Sequence, residues 1–145
     1  MTEQPRHLES RPAPAPGPVG MVLVSHSALI AEGTAELVRQ LAGGEVAVQP
    51  AGGLPEGGLG TSIELVEQAV RTADRGAGVV ILADLGSAVL TVKLLLDDAA
   101  GLPAVLIADA PLVEGAVSAA VAASSGADLE AVRAAAEEAR AFRKL

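Results

Sequence analysis

The sequence predicts an α/β fold: a single-domain, doubly wound, mostly parallel sheet of about four strands with helices on both faces. Three observations carry that prediction. Short apolar runs of the length and composition of strands buried on both faces recur along the chain. Between them lie stretches with apolar residues at helical spacing. The junctions from run to helix are built of Gly, Ser, Thr, Asp and Pro, which turn chains and cap helices.

The elements follow in order. Gly20-Met21-Val22-Leu23-Val24-Ser25 is the first strand. A helix follows, with Leu29, Ile30, Leu37, Val38 and Leu41 at helical spacing, and Gly43-Gly44 stops it. Val46-Ala47-Val48 is a weaker strand, leading into a glycine-rich loop from Ala51 to Gly60. Thr61-Ser62-Ile63-Glu64 spells a capping box, which predicts a helix carrying Ile63, Val66 and Val70 on one face. Gly78–Ala83 is the clearest strand. It runs through Asp84-Leu85-Gly86-Ser87 into a very apolar helix from Ala88 to Leu96. Ala104–Ala108 is a fourth strand, and helices at about 112–124 and 128–142 close the chain, the last capped by Asp128. The pattern leaves the strand order open.

Composition bounds the function. Five of the nine prolines fall within residues 1–18, which are expected to be a disordered tail, leaving 19–145 as the folding domain. The absence of cysteine excludes zinc ribbons, thiol chemistry and a disulfide scaffold. A net charge of −8 with no basic cluster argues against nucleic acid or an anionic membrane as partner. No apolar run reaches the ~18–20 residues of a membrane span, and the start Met1-Thr2-Glu3-Gln4-Pro5 lacks the form of a secretory signal. A soluble, cytoplasmic protein is therefore expected. With Phe142 as its one aromatic residue, the chain is poorly equipped to stack flavins, sugars or bases.

In such sheets chemistry collects where strands end and helices begin. Those junctions read Ser25-His26-Ser27, Gly58-Leu59-Gly60-Thr61, Asp84-Leu85-Gly86-Ser87 and Asp109-Ala110-Pro111. They hold His26, the histidine of the folding domain, with strand-end aspartates, hydroxyls and glycines suited to a phosphoryl group. An imidazole with one nitrogen bonded to a carboxylate keeps a fixed tautomer, and its other nitrogen is free to attack phosphorus. Asp84 is the natural partner for His26. The helices opening at Ser27 and Ser87 carry no acid three residues on, so their N-termini are the expected phosphate cradle, with Thr61 as a hydroxyl donor at the rim. A histidine after a strand also suits a structural role, an aspartate there also suits a turn cap, and Ser27, Thr61 and Ser87 also read as ordinary N-caps. The glycine-rich loop lacks both nucleotide fingerprints. One His and one Asp do not make a metal site. Asp97 and Asp98 read as a solvated helix end, and Asp109 and Glu114 as surface residues at the edge of the site.

Taken together and in order, Val24-Ser25-His26-Ser27, Gly58-Leu59-Gly60-Thr61-Ser62, Asp84-Leu85-Gly86-Ser87-Ala88 and Ala110-Pro111-Leu112-Val113-Glu114-Gly115-Ala116 resemble the DhaM family. These are the phosphotransferase subunits of PEP-dependent dihydroxyacetone kinase, whose first domain is related to mannose-type IIA domains. The resemblance implies that His26 is the phosphorylated histidine, charged by phospho-HPr and discharged to ADP held on the partner subunit DhaL. The ATP so formed phosphorylates dihydroxyacetone bound on DhaK. It also implies that Asp84 orients His26, that Gly60-Thr61 and Gly86-Ser87 surround it, and that the protein is a homodimer. ADP and Mg²⁺ are expected on the partner, with no cofactor on this chain. Because the sequence stops at Leu145, HPr is expected to be a separate protein. A sugar-transport IIA subunit donating to a IIB domain is the alternative. It is disfavoured by the short Leu85-Gly86-Ser87 loop, where mannose-type domains have Trp-Gly-Gly-Ser-Pro, and by a helical C-terminus. A non-catalytic α/β binding module is the third reading. A receiver domain is disfavoured because the acidic pair and late lysine it needs are missing.

Overall fold

The computed structural model describes residues 15–145. The tail expected at 1–18 lies outside the described residues as far as residue 14. At its end, Gly17 donates its N–H to the Arg75 carbonyl at 3.0 Å. The order is β1 (Gly20–Ser25), α1 (Ala28–Ala42), β2 (Val48–Gly52), α2 (Ile63–Ala73), β3 (Val79–Ala83), α3 (Gly86–Asp98), β4 (Val105–Ile107), α4 (Leu112–Ser124), α5 (Leu129–Glu138) and a 3₁₀ turn at Ala139–Ala141.

The four strands form one parallel sheet in the order β2-β1-β3-β4. Alternation along the buried strands feeds two apolar layers. Met21, Leu23, Val80 and Leu82 pack with Ala35 and Val38 of α1, the alanines of α4, and Val132 and Ala136 of α5. Val22, Val24, Val79 and Ile81 pack on the opposite face with α2 and α3. Helices therefore cover both faces, as the apolar strand runs require. Among the described residues no helix is long and apolar enough to cross a membrane.

The second strand is displaced from its expected place. Val46, Ala47 and Val48 are buried, but the strand runs Val48–Gly52, through Pro50 and into the expected loop. Pro50 is tolerated because β2 is an edge strand, with β1 as its one neighbour in the sheet. At its end β2 comes so close to α1 that a Cβ on Gly52 would lie 2.5 Å from the Ser27 carbonyl oxygen.

Helix faces also differ from a reading by size. In α1 the buried residues are Ala31, Thr34, Ala35 and Val38, while Leu29, Ile30, Leu37 and Leu41 are exposed. Thirty alanines in the chain let helices sit close on the sheet, and the larger side chains fall outside that contact. The apolar helix starts two residues earlier than expected, at Gly86, and the last helix gives way to a 3₁₀ turn after Glu138. Asp128 caps α5 as expected, accepting from the Ala131 N–H at 2.9 Å.

Candidate functional site

With β1 central and crossovers leaving it in both directions, the strand order reverses between β1 and β3. Open α/β sheets bind ligands beyond the carboxyl ends of strands at that point. His26 follows β1 directly and Asp84 follows β3 directly. The Asp84 N–H donates to the Val24 carbonyl at 3.0 Å, which continues the strand pairing and brings the two loops together.

Asp84 is saturated with donors. Its Oδ2 accepts from the Ser25 hydroxyl at 2.8 Å and from the His26 backbone N–H at 3.1 Å. Its Oδ1 lies 3.1 Å from His26 Nδ1 and accepts from the Leu85 N–H at 2.7 Å. Burial by itself would raise the Asp84 pKa; the hydrogen bonds from Ser25, His26 and Leu85 outweigh it and hold the carboxyl below its ordinary value. An ionised carboxylate only accepts, so Nδ1 carries a proton. In the neutral ring Nε2 then carries the lone pair. The Ser87 hydroxyl, 2.8 Å away, donates to it. The ring is pinned at both nitrogens, with a quarter of its side-chain surface (25%) still open to solvent.

The hydroxyls expected here separate into caps and free groups. Ser27 is a cap: its side chain accepts from the Ile30 N–H at 3.3 Å. Ser87 is not a cap. Leu85 holds that position in α3 with no side-chain bond, so the hydroxyl of Ser87 is free for His26 and the helix N-terminus is left uncapped. Thr61 is not a cap either. Ser62 takes that role at α2, accepting from the Leu65 N–H at 3.3 Å. Thr61 is held instead in an isolated parallel bridge with Gly53, just past the end of β2. Its Oγ1 is buried without a hydrogen-bond partner. Gly60 donates its N–H to the His26 carbonyl at 2.9 Å, which ties this loop to the histidine. At φ +150°, with a Cβ 2.7 Å from Leu54, that position requires glycine.

Among the expected residues, direct bonds therefore join His26, Asp84, Ser87 and Gly60, with Ser27 and Thr61 next to bonded positions. Gly86 opens the uncapped helix beside them. Ser25 was not among the expected site residues; a hydroxyl closing an otherwise apolar strand, next to the histidine, was its signal. Lys93 lines a cleft of about 480 Å³ beside Asp84, with Val89, Ile107 and Asp109. Asp109 and Glu114 are tied to the C-terminal segment, by Arg140 and Lys144 respectively, each at 2.8 Å. Both Asp97 and Asp98 are exposed. Leu29, Leu59 and Leu85 are exposed, each within three residues in sequence of His26, Gly60 or Asp84.

Residues 20–133 match the family model EIIA-man, described as the PTS system fructose IIA component. A relative from Listeria innocua, PEP-dependent dihydroxyacetone kinase 2 phosphoryl donor subunit DhaM, is 38% identical over 105 residues, covering 71% of this chain and 84% of that protein. The corresponding subunit of Pantoea ananatis is 37% identical over 119 residues; the match covers 79% of this chain and a quarter (25%) of that longer protein. A crystallised protein of unknown function, EF1359, superposes with a TM-score of 0.78 at 34% identity, over 88% of this chain and 98% of that one. The motifs, the parallel sheet with His26 and Asp84 at its switch point, and these matches agree: the chain belongs to the EIIA-man family, among its DhaM-type members.

Proposed function

We propose that this chain is a histidine phosphocarrier, a phosphotransferase subunit that takes a phosphoryl group from phospho-HPr onto His26 and passes it to ADP bound on a DhaL subunit. The ATP formed there phosphorylates dihydroxyacetone on DhaK. The observation that carries this reading is the ring of His26, with Nδ1–H on ionised Asp84 and the lone pair of Nε2 on a movable hydroxyl. Ser87 turns away, and Nε2 attacks phosphorus. The donor's P–N bond breaks with its electron pair returning to the donor ring. Both nitrogens of His26 are then substituted, so the ring is cationic, and Asp84 offsets that charge. In the second transfer a terminal oxygen of ADP attacks, and the P–Nε2 electron pair returns to His26.

The arriving group carries about two negative charges. The uncapped N-terminus of α3 at Gly86 and Ser87 offers N–H donors and positive potential. The Thr61 and Ser87 hydroxyls supply further donors, and Ser27 borders them while capping its own helix. No residue of this chain is assigned to ADP or Mg²⁺, which arrive with the acceptor. Positioning and electrostatics then carry the transfer. The exposed Leu29, Leu59 and Leu85 suit a protein partner such as HPr, met in the cytoplasm. The subunit is further proposed to be a homodimer, in which a second copy covers exposed Leu90 and Leu94 of α3.

Intact-mass spectrometry after incubation with PEP, Mg²⁺, enzyme I and HPr tests this directly. A single acid-labile phosphoryl adduct is expected, absent in His26→Ala and discharged by DhaL carrying ADP. An adduct that leaves to a IIB domain and not to DhaL would assign the chain to sugar transport. No adduct on folded protein with active reagents would leave a binding module.

A further inference from the structure

We propose that Ser25 is a positioning residue of this site, a hydroxyl that clamps one oxygen of Asp84 so that the other is presented to His26, holding the ring as its Nδ1–H tautomer.

Ser25 closes a strand in which Met21, Val22, Leu23 and Val24 are all fully buried, and it is itself fully buried (0% exposed). A hydroxyl placed there costs stability unless both its donor and acceptor capacities are used. Both are. Its oxygen accepts the Ser27 N–H at 3.0 Å, and its proton goes to Asp84 Oδ2 at 2.8 Å. The direction of this relay is forced, because an amide N–H only donates and a carboxylate only accepts.

Two constraints on His26 follow. The peptides on either side of it are held, the His26 N–H by Asp84 at 3.1 Å and the Ser27 N–H by Ser25. The carboxylate is also fixed in rotation. Oδ2 is engaged by Ser25 and the His26 backbone, which leaves Oδ1 to the Leu85 N–H and to Nδ1. Apart from the imidazole, Ser25 supplies the side-chain donor to Asp84. Without it, one oxygen keeps a single backbone bond, the whole carboxylate can swing about its Cα–Cβ bond, and neither oxygen stays within reach of Nδ1. The effect on transfer rests on the phosphocarrier reading; the effect on the ring does not.

The test combines ¹⁵N NMR of the His26 ring with the rate of phosphorylation by phospho-HPr, in Ser25→Ala and Ser25→Thr. The wild type is expected to show a protonated Nδ1 and a bare Nε2. Ser25→Ala is expected to give intermediate shifts of a mixed tautomer and about a tenfold slower transfer, the size of one lost hydrogen bond to a charged group. Ser25→Thr, which keeps the hydroxyl, is expected to restore both. Should Ser25→Ala fail to fold, Ser25→Cys, of similar shape and a weaker donor, carries the same readouts. An unchanged tautomer and rate in the folded variant would overturn the proposal, as would equal rate losses in the Ala and Thr variants with the tautomer intact in both. A scrambled tautomer in a protein whose wild type takes no phosphoryl group would sink the phosphocarrier reading and leave the role of Ser25 standing.

Discussion

At His26 the chemistry depends on which nitrogen carries the proton, and Asp84 sets that. In Asp84→Asn an amide replaces the carboxylate. It can present either a donor or an acceptor to Nδ1, so the tautomer is no longer dictated. Phosphorylation by phospho-HPr is expected to slow by a factor on the order of 10²–10⁴, the span of losses when a positioned acid–base group or its tautomer control is removed. The same carboxylate shapes the acid response. Its folded pKa lies below the ordinary value of 3.8, so between the two values the unfolded chain binds more protons than the folded one. The stabilisation is complete above the unfolded value and is lost as pH falls through the lower, folded one. Urea midpoints measured from about pH 5 down to about pH 2 should therefore fall further for the wild type than for Asp84→Asn. His26 and Asp84 were legible as residues in the sequence, since each directly follows an apolar strand. Their pairing was expected as well; what stayed open was the strand order that makes it possible, because local pattern does not say which strands are neighbours.

At the scale of elements, the turn into α2 separates two hydroxyls that the sequence presents side by side. Ser62 caps the helix, and Thr61 carries a buried oxygen without a partner. Ser62→Ala is expected to cost about 1 kcal/mol of stability and to leave phosphorylation unchanged. Thr61→Val should melt no lower than the wild type, because it removes an unsatisfied buried group that costs ~1–3 kcal/mol. Its phosphorylation should be slower severalfold. Thermal melts and transfer rates on the two variants check both expectations. The capping-box spelling predicted the helix but not which hydroxyl caps it. That choice falls to the bridge between Gly53 and Thr61, a contact between segments eight residues apart in the chain. Likewise, the shift of β2 to Val48–Gly52 reflects pairing with β1, which an edge strand containing Pro50 permits and local propensity does not reveal.

At the scale of the whole molecule, α3 and the sheet edge next to it leave apolar surface exposed. Leu90 and Leu94 are exposed, and β4, a strand of three half-buried residues, has β3 as its one neighbour in the sheet. Replacing both leucines (Leu90→Glu with Leu94→Glu) is expected to turn the proposed dimer into monomer in sedimentation experiments, with little change in monomer folding since neither residue is in the core. A wild type that sediments as a monomer would remove the dimer from the proposal.

What the sequence determined by itself is the set of alternating elements and the chemical groups at their junctions. Apolar periodicity, turn residues and cap residues are local, and they can be read along the chain. Only the tertiary structure decided that β1 lies beside β3, and so that Asp84 meets His26, that Ser87 reaches Nε2, and that Ser25 spends its hydroxyl on the carboxylate. It also decided which helix faces are buried, in α1 turning Ala31 and Ala35 toward the sheet and Leu29, Leu37 and Leu41 toward solvent. Those outcomes depend on contacts between residues far apart in the chain, 61 positions in the case of Ser87 and His26, and their energies exist only once the layers have closed.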